Sequence, residues 1–110
     1  MEIIEKEIKY YTTIDGKCPY DDWYNELDKS IQLRVDKRVE KLEQGLYGDH
    51  KQLQKSELSE LRMDFGKGYR IYYLDLTDTI IIFFAGSEKK DQKKVINQAN
   101  KYYEEFMNIK

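Results

Sequence analysis

At 110 residues the chain has the length of one domain, and 40% hydrophobic with 36% charged residues is polar for a globular protein but without the low complexity of a disordered one. A formal net charge of -2 and a pI of about 5.5 argue against a broad basic nucleic-acid footprint. With one cysteine, Cys18, and one histidine, His50, neither an internal disulfide nor a zinc site built from cysteines and histidines is available.

The N-terminus, MEIIEKEIKYY, lacks the apolar stretch of a signal peptide, and the longest apolar run, residues 80–85, is far short of a membrane span. A cytoplasmic protein with no membrane association is expected. Charge is unevenly spread: residues 1–64 carry a net of -4 and residues 65–110 a net of +2. Ten tyrosines are an unusual number, and packing should account for most of them.

Residues 2–11 mix β-branched, aromatic and charged side chains, with Ile8 and Tyr10 alternating with Lys9, which predicts a strand at a sheet edge. Residues 12–17 form a loop with Asp15 and Gly16 as its turn. Pro19 suits the first turn of a helix, followed by Asp21 and Asp22 where negative charge complements the dipole. Tyr20, Trp23, Tyr24 and Leu27 keep helical spacing. After a break at residues 28–30, a second helix aligns Ile31, Val35, Val39 and Leu42 and ends at Gly45. The two helices should cover one face of a sheet. Residues 46–56 read as a polar loop.

Residues 57–86 read as three antiparallel strands, because Gly66-Lys67-Gly68 and Thr77-Asp78 interrupt runs rich in Ile, Tyr, Phe and Leu. A three-residue first loop would set Phe65 opposite Tyr69, Asp64 opposite Arg70, Arg62 opposite Tyr72 and Glu60 opposite Leu74. By alternation Leu61, Met63, Ile71 and Tyr73 share an apolar face, whereas Glu60, Arg62, Asp64, Arg70 and Tyr72 share a charged one. The last strand, residues 79–85, is apolar on both faces, as suits a central strand, and Gly86 should stop it. A helix over roughly residues 91–107 carries Val95, Ile96, Ala99, Tyr102, Tyr103 and Phe106 at helical spacing. Residues 1–110 are thus expected to form one α+β domain: an N-terminal strand, a two-helix hairpin on an antiparallel sheet of about four strands, and a C-terminal helix.

The grouping with chemical potential is Arg62, Arg70, Tyr69 or Tyr72, Lys89 and Lys90, with Glu60, Asp64 and Gln92 nearby. Planar guanidiniums beside lysines suit a phosphate group. On RNA, the ribose 2'-OH can attack the adjacent phosphate once it is aligned and the developing charge is neutralised, and arginine and lysine can do this without a metal. The bland alternatives are concrete. Asp64 against Arg70 would also make an ordinary cross-strand ion pair, worth ~0.2–1 kcal/mol, and Lys89, Lys90, Lys93 and Lys94 would also make a solvated helix start. His50 reads as a solvated loop residue, with a general acid or base as the lesser reading.

The ordered series PYDDW, LYGDHKQL, ELR, FGKGYRIYY, IIIFFAGSEKKDQKK and NQANKYY, spanning residues 19–103, resembles the phage-derived Gp49-like family of addiction-module killer proteins within the RelE/ParE toxin superfamily. The resemblance implies a RelE-like toxin neutralised by a co-encoded, helix-turn-helix antitoxin, acting on messenger RNA at the ribosome without metal or other cofactor. By position it implies catalytic roles for Arg70, Arg62 and Lys89, and RNA contacts for Lys90, Lys93, Tyr69, Tyr72 and Gln92. A tyrosine that some RelE-like toxins carry after the basic pair is missing, since Ile96 lies about where it would fall. Two alternatives stand beside this reading: a ParE-like toxin that binds a protein target such as a topoisomerase, and a degenerate toxin without activity.

Overall fold

Two apolar faces on one sheet organise the chain, and the computed structural model describes them over residues 3–109. Five strands, β1 (Glu7–Tyr10), β2 (His50–Gln52), β3 (Ser59–Met63), β4 (Tyr69–Asp75) and β5 (Ile80–Glu88), pair in the order β1-β5-β4-β3-β2. Helices α1 (Pro19–Asn25) and α2 (Lys29–Glu43) lie on one face, where Tyr20, Val35 and Leu42 meet Leu61, Met63, Tyr69, Ile71, Tyr73, Ile81 and Phe83. Helix α3 (Gln92–Ile109) covers part of the other, where Ala99, with Val95, Ile96, Tyr102 and Phe106, packs on Leu58, Tyr72, Ile82 and Phe84. Each large apolar side chain sealed this way contributes about 1.5–3 kcal/mol.

The expected helix hairpin forms, with α1 and α2 separated by three residues and Pro19 in the first turn of α1. The sheet differs from expectation in four respects. It is mixed rather than antiparallel and has five strands rather than four: β1 runs parallel to β5, with Tyr11 N–H donating to the Phe83 carbonyl at 2.9 Å. Parallel pairing requires a long connection, and here the rest of the sheet and both helices supply it. Glu2, where the edge strand was expected to begin, lies outside the described residues. The fifth strand is β2, which is exposed at all three positions and therefore carries no alternation to betray it.

The β3–β4 register is offset by two residues from the one expected. Met63 opposes Tyr69, Arg62 opposes Arg70, Leu61 opposes Ile71 and Glu60 opposes Tyr72. The tip is five residues long, 64–68, because Gly66 and Gly68 both take positive φ (55° and 76°) and Gly68 N–H closes on the Phe65 carbonyl at 2.9 Å. An even offset leaves every side chain on its expected face.

Strand β5 runs through Gly86 to Glu88 instead of stopping there. Tyr72 pairs with Ala85 but Tyr73 with Phe83, so Phe84 is an extra residue in a bulge. A bulge switches the facing of the strand residues beyond it. Ala85 and Ser87 thereby join the face of Tyr72 and Arg70, and Gly86 turns to α1, where a Cβ would collide with the Trp23 ring.

Tyrosine hydroxyls tie elements together: Tyr11, just past β1, donates to Glu105 on α3 and Tyr24 on α1 to Asp36 on α2, each at 2.8 Å, and Tyr72 on β4 pairs with Ser87 on β5 at 2.8 Å. Burial first, then the neighbouring carboxylate, pushes Tyr11 and Tyr24 up to about 12, and burial does the same to Tyr72.

Gly86→Ala should lower stability by about 1–3 kcal/mol in chemical denaturation, since the ring must be displaced from the strand. An unchanged midpoint would mean that Trp23 does not rest on Gly86. The raised tyrosines give a second expectation. Below pH 10 folded and unfolded chains both keep these protons; above it the unfolded chain releases protons that the folded one retains. Stability should therefore fall as pH rises from 10 to about 12, with tyrosinate absorbance appearing together with unfolding. Early, non-cooperative ionisation of all ten tyrosines would contradict it.

Candidate anion site on the sheet

The face that α3 packs on carries a row of polar residues across three strands, of which Glu60, Arg70 and Ser87 are buried and Arg62 is half-buried. Arg62 on β3 opposes Arg70 on β4, and Arg70 opposes Ser87 on β5. In the next row Glu60 opposes Tyr72 and Tyr72 opposes Ala85. Like charges facing each other across strands repel unless counter-charges are built in. Here they are. Arg62 Nε and Nη2 each lie 3.2 Å from Asp49 Oδ1, Arg62 Nε lies 3.9 Å from Glu60 Oε1, and Arg70 Nη1 lies 3.7 Å from Asp64 Oδ1.

The two arginines differ in setting. Arg62 is half-buried at the sheet margin. Arg70 is 5% exposed, donates from Nη1 to the Tyr69 carbonyl at 3.1 Å, and has a buried Nε without a hydrogen-bond partner. A buried charged donor left unsatisfied costs at least about 1–3 kcal/mol, so the fold carries a destabilising feature at this point. Its ionic partner Asp64 is largely exposed, with 75% of its side-chain surface open.

Lys89 follows β5, at the head of a 3-10 turn (Lys89–Asp91) that leads into α3. Its N–H donates to the Gly68 carbonyl at 2.9 Å, which fixes the turn to the β3–β4 tip. Gly68 separates the two cations: a Cβ there would lie 3.2 Å from Lys89 Cβ and 3.9 Å from Arg70 Nη1. Around this point Asp64, Gly66, Lys67, Gly68 and Lys89 line an open hollow of about 380 Å³.

The residues expected from sequence separate into three groups. Arg70 and Lys89 approach one another across Gly68, whereas Arg62, opposite Arg70 on β3, turns its guanidinium to Asp49 on the β2 side. Gln92, in the first turn of α3, is drawn in by donating to Glu60 Oε2 at 2.8 Å. Lys90 and Lys93 are exposed, and Lys90 Nζ turns to Glu88 Oε1 at 3.8 Å. The tyrosines are not available for stacking: Tyr69 sits on the opposite face, among Trp23 and Phe65, and Tyr72 is fully buried under α3. His50 is exposed, its Nδ1 2.9 Å from the Gly48 carbonyl.

Asp49 and Ser87 lie outside the expected set. The Asp49 link needs the β2–β3 pairing, of which the sequence gives little sign. Ser87 reaches this face only because of the bulge at Phe84, a position with no glycine or proline of its own to announce it.

Among the described residues, no group of three or more His, Cys, Asp or Glu side chains could hold a metal ion, and no helix is long and apolar enough to cross a membrane. What the arrangement can do is bind an anion between a buried guanidinium and a lysine, with an exposed carboxylate occupying the approach.

No family model matches the chain. A protein of Haemophilus influenzae described as uncharacterized is 32% identical over 81 residues, covering 73% of this chain and 81% of the relative. The chain belongs to the same family as that Haemophilus protein.

Proposed function

We propose that this protein is a RelE-like toxin of a type II toxin-antitoxin system that cleaves messenger RNA without a metal, working in the cytoplasm and held inactive by a co-encoded antitoxin. The observation that carries the reading is the placement of Arg70 and Lys89 on either side of Gly68, with Arg62 opposite Arg70 on the next strand and a solvent-open hollow lined by Lys89 beside them. The structure supplies an α+β frame of a helix hairpin, a mixed five-stranded sheet and a C-terminal helix; the RelE-like reading of that frame rests on the sequence resemblance over residues 19–103.

In this mechanism the scissile phosphate displaces the Asp64 carboxylate from Arg70 Nη1 and takes up Lys89 from the other side of Gly68. The ribose 2'-oxygen forms a bond to phosphorus as the bond to the 5'-oxygen breaks. The 2'-OH proton passes to solvent water, and solvent water supplies one to the departing 5'-oxygen. The products are a cyclic phosphate and a free 5'-OH. Arg70 is suited to stabilise the transition state because its position is already fixed by burial, so little reorganisation accompanies the reaction. Glu60 holds both Arg62 and Gln92 and keeps the second guanidinium close to the first.

One feature favours a second reading, a ParE-like toxin that binds a protein target such as a topoisomerase. Ile96, where some RelE-like toxins carry a tyrosine, packs against the α3-side core. Mapping nucleic-acid ends after expression separates the two, since a topoisomerase poison leaves broken DNA and intact messages.

Arg70→Ala should slow cleavage of ribosome-bound message on the order of 10²-fold or more, measured from the appearance of new 5'-OH ends. A variant as fast as the original protein would remove Arg70 from the reaction. Asp64→Asn should act in the opposite direction. With the competing carboxylate neutralised, RNA affinity should rise by about twofold to fivefold, the range expected for loss of a mostly exposed ion pair. Weaker binding by Asp64→Asn would show that Asp64 orients Arg70 for substrate and does not compete with it.

A further inference from the structure

The hollow beside Lys89 has a neighbour. On the other side of the β3–β4 tip, Arg34, Lys37, Arg38 and Lys41 of α2 line a second open hollow, of about 230 Å³, with Phe65 as its wall. Their spacing of three, four and seven residues puts all four on one face of the helix, over roughly 10 Å of its length. The Arg34 guanidinium lies 4.0 Å over the Phe65 ring, which joins the helix to the tip. From Phe65 the tip continues through Lys67 to Gly68 and Lys89. Of the ten residues lining the two hollows, six are cationic and one, Asp64, is acidic.

We infer that α2 and the β3–β4 tip form a docking track for the phosphate backbone of single-stranded RNA, separate from the cleaving residues and leading to them. Charge carries the argument. The chain as a whole is acidic, with a net charge of -2, so this surface is a local reversal of sign. The cations are also uncommitted: among the described residues, no carboxylate lies within ion-pair distance of Arg34, Lys37, Lys41, Lys67 or Lys89. Arg38 spends its donors on the Tyr47 and Asp49 carbonyls, at 2.7 and 2.9 Å, which anchors it without cancelling its charge.

An acidic protein segment is the other polyanion to weigh. Protein interfaces draw their energy from buried apolar anchors at the centre of the patch. Here the one aromatic wall is already capped by Arg34. A nucleic-acid backbone needs no such anchor, only repeated cations.

The inference rests on the RNA reading above, and its test separates the two. A fluorescein-labelled single-stranded RNA of mixed sequence is titrated with the full-length protein, with Arg34→Gln/Lys37→Gln/Lys41→Gln, and with Lys9→Gln/Lys17→Gln/Lys101→Gln, all by anisotropy over a range of salt. Circular dichroism first establishes that both triple variants fold. Three lost phosphate contacts should weaken binding by about tenfold or more at low salt and reduce the slope of log K against log salt by about 2, at ~0.7 per contact. The control, with equal charge removed from exposed positions on β1, the β1–α1 loop and α3, should retain the original slope. Equal losses in both triples, no loss in the α2 triple, or no RNA binding by the full-length protein would each overturn the track. So would competition by poly-glutamate that depends on the α2 cations while RNA binding does not. Cleavage of ribosome-bound message is scored in parallel. An α2-dependent slope without cleavage leaves the track standing and removes the nuclease, and cleavage with an unchanged slope does the reverse.

Discussion

Two guanidiniums face one another across β3 and β4, and the sheet accommodates them only because Asp49, Glu60 and Asp64 stand around them. Much else depends on this contact. Cross-strand neighbours are too close for uncompensated like charges, so carboxylates have to be placed on three different segments: before β2, on β3 and in the β3–β4 tip. The short edge strand β2 makes structural sense in this light. Three exposed residues bury little, but their pairing to β3 fixes the approach of the loop that carries Asp49.

Burial then divides the pair into unequal members. Arg62 at the margin has two carboxylates near it and solvent beyond. Arg70, under the tip and beside the start of α3, has one carboxylate that solvent already reaches, one backbone carbonyl and a hidden Nε with nothing to donate to. A stability-driven sequence would replace such a residue with an apolar one of similar size. Retaining it makes sense if a ligand completes its hydrogen bonding. The bulge at Phe84 serves the same place, because by switching parity it brings a small hydroxyl, Ser87, beside Arg70 while still allowing Gly86 to receive Trp23 on the far side.

The sequence is informative where one physical signal dominates and less so where two compete. Helical stripes such as Ile31, Val35, Val39 and Leu42, and the two-residue period of Leu61, Met63, Ile71 and Tyr73, assign core faces directly, because burial selects for them at every position. The register of β3 and β4 is displaced by two because the tip contains two glycines, and alternation cannot separate a three-residue from a five-residue connection of the same parity. The parallel β1–β5 pair and strand β2 depend on long-range pairing of polar edges, which leaves no pattern in the residues themselves. At the site, Arg62, Arg70, Lys89 and Gln92 are legible as charged or polar groups near one another. Tyr69 lies two residues before Ile71, so the same alternation places it in the α1–α2 core where it is found; only its residue type suggests a stacking role.

Net charge is a poor guide to the surface for a related reason. The acidic balance is carried largely by residues 1–64, yet α2 within that half presents Arg34, Lys37, Arg38 and Lys41 along one line, with Asp36, Glu40 and Glu43 at other angles on the helix. Helical geometry sorts charges that a linear sum cancels. A partner that meets only one face of the molecule experiences that face's field, since at physiological salt charges beyond about 8 Å are largely screened. A chain with an acidic pI can therefore hold a cationic surface that turns from a helix around a strand tip to a buried arginine, and the remaining acidity keeps the rest of the molecule from attracting the same polyanion.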